Sequence, residues 1–223
     1  QANAIADKLD GSSEVADFSI KEVEKISDLY LSENIFVWAE TKGDYQNATI
    51  KKIVLTNGKG VEVIDYNNFL KDEKLIEWLA SDKKKTVYDS KFLYHLFARE
   101  NQEINGISED LMIAAFLVDN STTNWTSFSN KYGGTQSDIQ SKDDVDLEVI
   151  GAKAFDLIKL QPAIIAEIKE KAMEYLYYEV ELPLSKILFE MENKGIKVSK
   201  EIIVEIADKT KKIIDEVSAE IYA

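Results

Sequence analysis

Not one of the 223 residues is cysteine, and only one, His95, is histidine. A chain without thiols forms no disulfide, holds no thiolate-bound metal and offers no cysteine nucleophile; a single imidazole excludes histidine-rich metal sites and most hydrolase triads. The missing cysteine fits a reducing cytoplasm, which is the expected location. No run of about 18 apolar residues is present to span a bilayer, and the opening stretch QANAIADKLDGSSEVADF has neither a basic n-region nor an apolar h-region, so no membrane partner is expected. Positive charge is also short: 27 Lys and Arg stand against 41 Asp and Glu, a formal net charge of -14. Such a field repels phosphate backbones, and negligible affinity for duplex nucleic acid at physiological salt is expected of the segment by itself.

What is there suits a packed α/β body. Hydrophobic residues make up 45% and aromatics 10%, enough for a sizeable core. SIKEVEKISDLY (19–30) opens with Ser19 and Glu22 at capping-box spacing and carries Ile20, Val23, Ile26 and Leu29, which predicts a short helix. Three β-type stretches follow at 35–40, 49–57 and 60–66, the last two joined through Asn57-Gly58, a hairpin signal, so an antiparallel meander is expected. An amphipathic helix over 68–81, a short buried strand at 85–89, a helix over 90–101 and a largely buried helix over 108–120 come next. TNWTSFSNKYGG predicts a shorter helix ending at a glycine pair, and the polar GGTQSDIQSKDDV (133–145) a loop.

Helical patterning runs from 146 to 181, with an interruption expected near Pro162, and Pro183 stands where a helix can restart in its first turn. Leu184, Ile187, Leu188 and Met191 then form an i, i+3, i+4, i+7 stripe closed by Gly195. Residues 199–222 repeat the pattern with Ile203, Ile206, Ile213, Val217 and Ile221. The chain begins at Gln1 and ends inside an amphipathic pattern, so a fragment is expected, with Ile206, Ile213 and Val217 partly exposed or covered by a neighbouring copy.

YEVELPLSKILFEMENKGIKVSKE (178–201) resembles the opening of the polymerase portion of bacterial family A DNA polymerases of the polymerase I type. Glu181, Pro183, Leu184, Glu190, Met191, Glu192, Gly195, Lys197 and Val198 match in order. DYQNATIKKIVL, KKTVYDSKFL and ISEDLMIAAFLV look like the degenerate 3'-5' exonuclease domain of the Bacillus-type members. The resemblance implies an RNase H-like exonuclease fold with a mixed central sheet over 1–180, then truncated thumb helices over 181–223. Lys194, Lys197, Lys200, Lys209, Lys211 and Lys212 enrich that last part in positive charge. The implied partners are the remainder of a polymerase chain, with DNA only in that context.

A working exonuclease of this type needs four carboxylates on two divalent ions. At the first motif, Asp-x-Glu, one register places Val37 and Ala39 and a one-residue shift places Trp38 and Glu40; the Asp is absent in both. At the second, Asp89 stands for the Asn and Leu93 for the metal-binding Asp; at the third, Val149 and Lys153 take the places of Tyr and Asp, with Asp156 one turn away. These positions imply no catalytic residue and no metal in this segment, magnesium belonging to the parent polymerase. A live exonuclease built on Glu40, Asp89 and Asp156, and a non-catalytic single-strand or protein-binding module, remain open alternatives. Taken singly, Glu40 reads as a solvated strand-end charge and Asp89 as a helix N-cap. Lys153 reads either as a surface residue or as the neutraliser of a vestigial acidic pocket. His95 reads as a packing or surface residue, Trp78 and Trp125 as core, and SDKKK (81–85) as a solvated basic run.

Overall fold

The computed structural model of the protein describes residues 19–134 and 146–222. Most of the polar stretch expected to form a loop, 135–145, lies outside the described residues. Six strands, β1 (Ser19–Val23), β2 (Ile35–Lys42), β3 (Thr49–Thr56), β4 (Gly60–Asp65), β5 (Lys85–Val87) and β6 (Ile107–Asp110), form one sheet in the order β1-β4-β3-β2-β5-β6. The meander expected from the alternating stretches is present: β3 is antiparallel to both β2 and β4. Its Asn57-Gly58 turn closes because Gly58 sits at φ +84° and the Asn57 Oδ1 accepts the Lys59 and Gly60 N–H groups at 3.0 and 3.2 Å. β1 lies parallel to β4, and β2, β5 and β6 run parallel to one another, which makes the sheet mixed.

The helices are α1 (Tyr66–Phe69), α2 (Glu73–Ala80), α3 (Ser90–Arg99), α4 (Leu111–Val118), α5 (Trp125–Tyr132), α6 (Leu147–Glu170), α7 (Leu182–Lys194) and α8 (Lys200–Ile221), with a π-helical stretch Leu176–Glu181 directly before α7. One apolar layer sets Ile35, Val37, Ile53, Leu55 and Ile64 against Leu75, Trp78 and Leu79 of α2 and Leu93, Leu96 and Phe97 of α3. The other sets Phe36, Trp38, Val54, Val61 and Val63 against Leu111 and Ala114 of α4, Phe128 of α5 and Ile150, Leu157 and Leu160 of α6. The alternation of neighbours along β2 and β4 between these layers is the two-residue period of a strand buried on both faces.

Several elements depart from the sequence reading, each for a local reason. Residues 19–23 are a strand, not a helix: the edge of β4 offers an unpaired backbone ladder, and Ile20 and Val23, three apart, fall on opposite layers of the sheet. Asp28–Tyr30 is only a 3-10 turn. The helix expected over 68–81 is two pieces, because Asp72 caps α2 by accepting the Leu75 N–H. Ile107–Asp110 adds a strand ahead of α4, and Asp110 is the cap that switches the chain to helix, accepting from the Met112 and Ile113 N–H groups.

Helix α6 passes through Pro162 without a break and ends at Glu170, two residues before Ala172 at φ +54°. Ser199 caps α8, and Gly133 and Gly195, at φ +76° and +68°, end α5 and α7 as the glycine signals imply. The chain divides into a larger unit ending at Phe189 and a smaller one beginning at Glu190.

Candidate functional site

The C-terminal end of β2 is where a strand carrying paired carboxylates would deliver them. Here Trp38 and Glu40, two residues apart, share one face of the strand. The pairing of β2 with β3 slips between Glu40 and Thr41, so that Glu40 stands opposite Lys52 and Thr41 opposite Ile50, a bulge at the position of the acid. Contrary to its reading as a solvated charge, Glu40 is 5% exposed.

Burial of a carboxylate demands donors, and two groups supply three hydrogen bonds. The Trp38 Nε1–H donates to Glu40 Oε1 at 2.9 Å, and the Lys153 ammonium, reaching from α6, contacts Oε1 at 2.9 Å and Oε2 at 3.1 Å. The Lys153 side chain is 23% exposed, so the pair sits at the rim of the core rather than in its middle. Of the two open readings of Lys153, the geometry selects the one in which it neutralises the acid. A bound cation at Glu40 would have to displace this ammonium from both oxygens.

The remaining positions do not join that pair. Val37, Ala39 and Leu93 belong to the opposite layer, with Val37 buried beneath α2 and α3 and Leu93 buried on the sheet-facing side of α3 itself. The register through Val37 and Ala39 therefore collects apolar side chains, and the register through Trp38 and Glu40 collects an indole, an acid and an ammonium. No single register unites Leu93 with Lys153, because adjacent residues of β2 point to opposite faces. Val149 lies half-buried in the first turns of α6.

Asp89 is the N-cap expected of it: its side chain accepts the Phe92 N–H at 3.0 Å from a left-handed backbone at φ +65°. Burial pushes its carboxyl up to about 6, an effect partly offset by the Phe92 N–H and reinforced by Asp110. Asp156 is fully buried on α6, 3.4 Å from the Ser129 Oγ and packed so closely on Gly134 that a Cβ there would come within 2.7 Å of its carboxylate. Among the described residues no group of three or more His, Asp or Glu is placed to hold a metal ion. The donor set around Glu40 does not fit a pair of divalent ions, since two such ions close together need several anionic ligands and the site offers one acid already carrying a fixed cation.

The sequence reading missed Asp110. It is fully buried and accepts from the N–H groups of Asp89 (3.2 Å), Ser90 (2.5 Å), Met112 (2.9 Å) and Ile113 (3.2 Å), so the starts of α3 and α4 converge on one carboxylate. Burial pushes this carboxyl up against the lowering effect of those donors. An Asp directly ahead of the run LMIAAFLV is a cap signal that could have found it. Lys85 corrects the solvated reading of SDKKK. It is fully buried, donates to the Ser81 and Lys83 carbonyls at 2.9 Å each, and lies 4.5 Å over the Trp78 ring. His95 packs between the rings of Tyr45 and Phe189, at 6.1 and 4.9 Å between centroids, in agreement with its packing reading.

Residues 37–145 match the family model described as DNA polymerase I, ribonuclease H-like domain. DNA polymerase I of Bacillus subtilis (strain 168) is 27% identical over 222 residues, covering 92% of this chain and 24% of that protein. The chain thus spans about a quarter of the length of the curated relatives it matches. Among solved structures, the POL domain of Pol1 from M. smegmatis, in complex with DNA primer-template and dNTP, superposes with a TM-score of 0.68 at 20% identity, covering 88% of this chain and 35% of that one. Brucella melitensis NrnC superposes with a TM-score of 0.63 at 15% identity, over 80% of this chain and 93% of its own. At these identities the two structures establish the fold alone.

Proposed function

We propose, from the premise that this chain carries the ribonuclease H-like domain of the DNA polymerase I family, that the domain is an exonuclease-like body without nuclease chemistry of its own. Its work is architectural: a rigid α/β block that supports template-directed DNA synthesis by a longer polymerase chain. The partners are the remainder of that chain and, through it, DNA; magnesium serves the polymerase reaction elsewhere in the parent. The observation that carries this reading is the Lys153 ammonium seated on both oxygens of Glu40, a fixed internal cation where hydrolysis needs exchangeable ones. The burial of Val37 and Leu93 in an apolar layer supports it from the other face of β2.

Metal-assisted phosphodiester cleavage depends on lowering a water pKa from about 15.7 toward 7 and on charge stabilisation of the leaving oxygen, and both vanish together without the ions. End-labelled single-stranded DNA incubated with the protein and magnesium or manganese is therefore expected to stay full length. Shortening of the label that stops in a Glu40→Ala or Asp156→Ala variant would sink the reading and establish a live exonuclease.

A further inference from the structure

The π-helical stretch Leu176–Glu181 is not explained by nuclease ancestry or its loss. Its wide turn is seen in the Leu182 N–H, which reaches back five residues to the Tyr177 carbonyl, whereas the Tyr177 N–H makes an ordinary α-type bond to Met173 at 2.8 Å. Two side chains flanking the wide turn find partners on the sheet body. The Tyr177 hydroxyl, fully buried, accepts the Asp110 backbone N–H at 2.8 Å and donates to the Asp110 carbonyl at 3.1 Å. The Ser90 Oγ donates to the Ser185 Oγ at 2.9 Å, and the Ser185 hydroxyl donates to the Leu182 carbonyl at 2.8 Å. The two partners are themselves joined, since the Ser90 N–H donates to the Asp110 carboxylate at 2.5 Å.

Tyr177 and Ser185 are eight positions apart. In a regular α-helix, at 100° per residue, that spacing leaves them about 80° out of line. One residue absorbed by a wider turn leaves the equivalent of seven, within about 20° of two full turns. We propose that the π stretch is a register-setting joint, whose extra residue brings Tyr177 and Ser185 onto one face so that both lock onto the Asp110–Ser90 junction and fix the start of α7 to the sheet body. Tyr177 and Ser185 are positioning residues in this scheme, and the scheme holds whether or not the domain cleaves DNA. The junction is well placed to be such an anchor: it gathers the starts of α3 and α4 and the end of β6 into one buried cluster. Without the wide turn, either Tyr177 or Ser185 would face away: losing Tyr177 strips the Asp110 N–H of its partner, and losing Ser185 leaves the Ser90 hydroxyl with the Asp110 carboxylate alone.

Hydrogen–deuterium exchange on the 223-residue chain tests this. Deleting Glu179 alone leaves Tyr177 and Ser185 seven apart and still in line in a regular α-helix, but deleting both exposed residues Glu179 and Val180 leaves them six apart and about 120° out of line. The amides of residues 182–189 are then expected to lose about tenfold in protection, the worth of one buried hydrogen bond, while those of Ile53–Leu55 in β3 keep theirs. Ser185→Ala and Tyr177→Phe, which leave the register intact and decide the matter should the deletion variant not fold, are expected to lower protection over the same residues a few-fold. Unchanged protection of residues 182–189 in these variants, or an equal loss in β3, would overturn the proposal: the first makes the contacts idle, the second makes them a part of global stability rather than a joint.

Discussion

Helices α2 and α8 are written in the same apolar period, yet α2 buries Leu75, Trp78 and Leu79 to 3% exposure or less, and α8 buries none of its residues. Ile206, Ile213 and Val217 of α8 are about half exposed, at 57, 58 and 46%, as the reading of an uncovered stripe expects. An amphipathic pattern specifies which face of a helix is apolar; it does not say what covers that face. For α2 the cover comes from strands close in sequence, whose own alternating residues reach the same layer.

The largest effect that would sharpen this contrast is in the core. Leu79→Ala, at a fully packed site, is expected to cost about 2–5 kcal/mol in urea unfolding. Ile206→Ala, at a site more than half exposed, is expected to cost within about 0.5 kcal/mol of nothing. Equal costs at low micromolar concentration would break the contrast, because they would mean that α8 is covered in solution.

An intermediate effect belongs to the rim of the core at Glu40. Lys153→Met leaves a buried acid with only the Trp38 donor, and a loss of about 2–3 kcal/mol is expected, reduced from the value for a fully enclosed pair because the lysine is 23% exposed. Adding Glu40→Gln should return most of that loss, since a neutral amide needs no counter-charge. A double variant no more stable than Lys153→Met alone would show that packing of the lysine stem, not charge pairing, holds α6 to β2 here.

The smallest effect is one of pH. Burial lowers the Lys85 ammonium to about 8 from its ordinary 10.5. A folded-state value below the unfolded one means that protonation favours the unfolded chain, so the penalty is full below pH 8 and fades toward pH 10.5. The upper part of that window is shared with tyrosines that favour the unfolded chain above pH 10: Tyr66, raised to about 12 chiefly by its bond to Glu100, and Tyr30, Tyr88, Tyr132, Tyr177 and Tyr178, raised chiefly by burial. The urea midpoint should therefore rise modestly from pH 8 to about pH 9, before the tyrosines titrate, and Lys85→Met should flatten the rise. A midpoint that falls over this range would contradict the burial of a charged lysine.

Much of the fold was legible because it rests on local rules. The meander follows from alternation and Asn57-Gly58, the cap of α3 from Asp89, and the ends of α5 and α7 from glycines at positive φ. Where the reading failed, competing rules were equally satisfied by the sequence. Ser19–Val23 carries a capping-box spacing, but an open edge on β4 gave its backbone a better set of partners. Pro162 lacks an N–H, yet α6 tolerates it under the packing of Leu157, Leu160 and Ile164. The candidate site was legible as a set of positions and illegible as an assembly: Glu40 and Lys153, 113 residues apart, were both singled out, while their contact was a matter of two elements meeting.

The sequence by itself determined the excess of acidic over basic residues, the strand and helix periods and the resemblance that runs from the exonuclease-like motifs to Val198. These are properties of residue type and spacing, which the chain carries before it folds. Only the tertiary structure decided that Trp38 and Glu40 face α6 while Val37 faces α3, that Lys153 closes on Glu40, and that Lys85 is buried rather than solvated. It decided too that Asp110 gathers two helix starts. The physical reason is common to all four: burial and pairing are set by which surfaces meet, and a one-residue slip along a strand exchanges every side chain between the two layers.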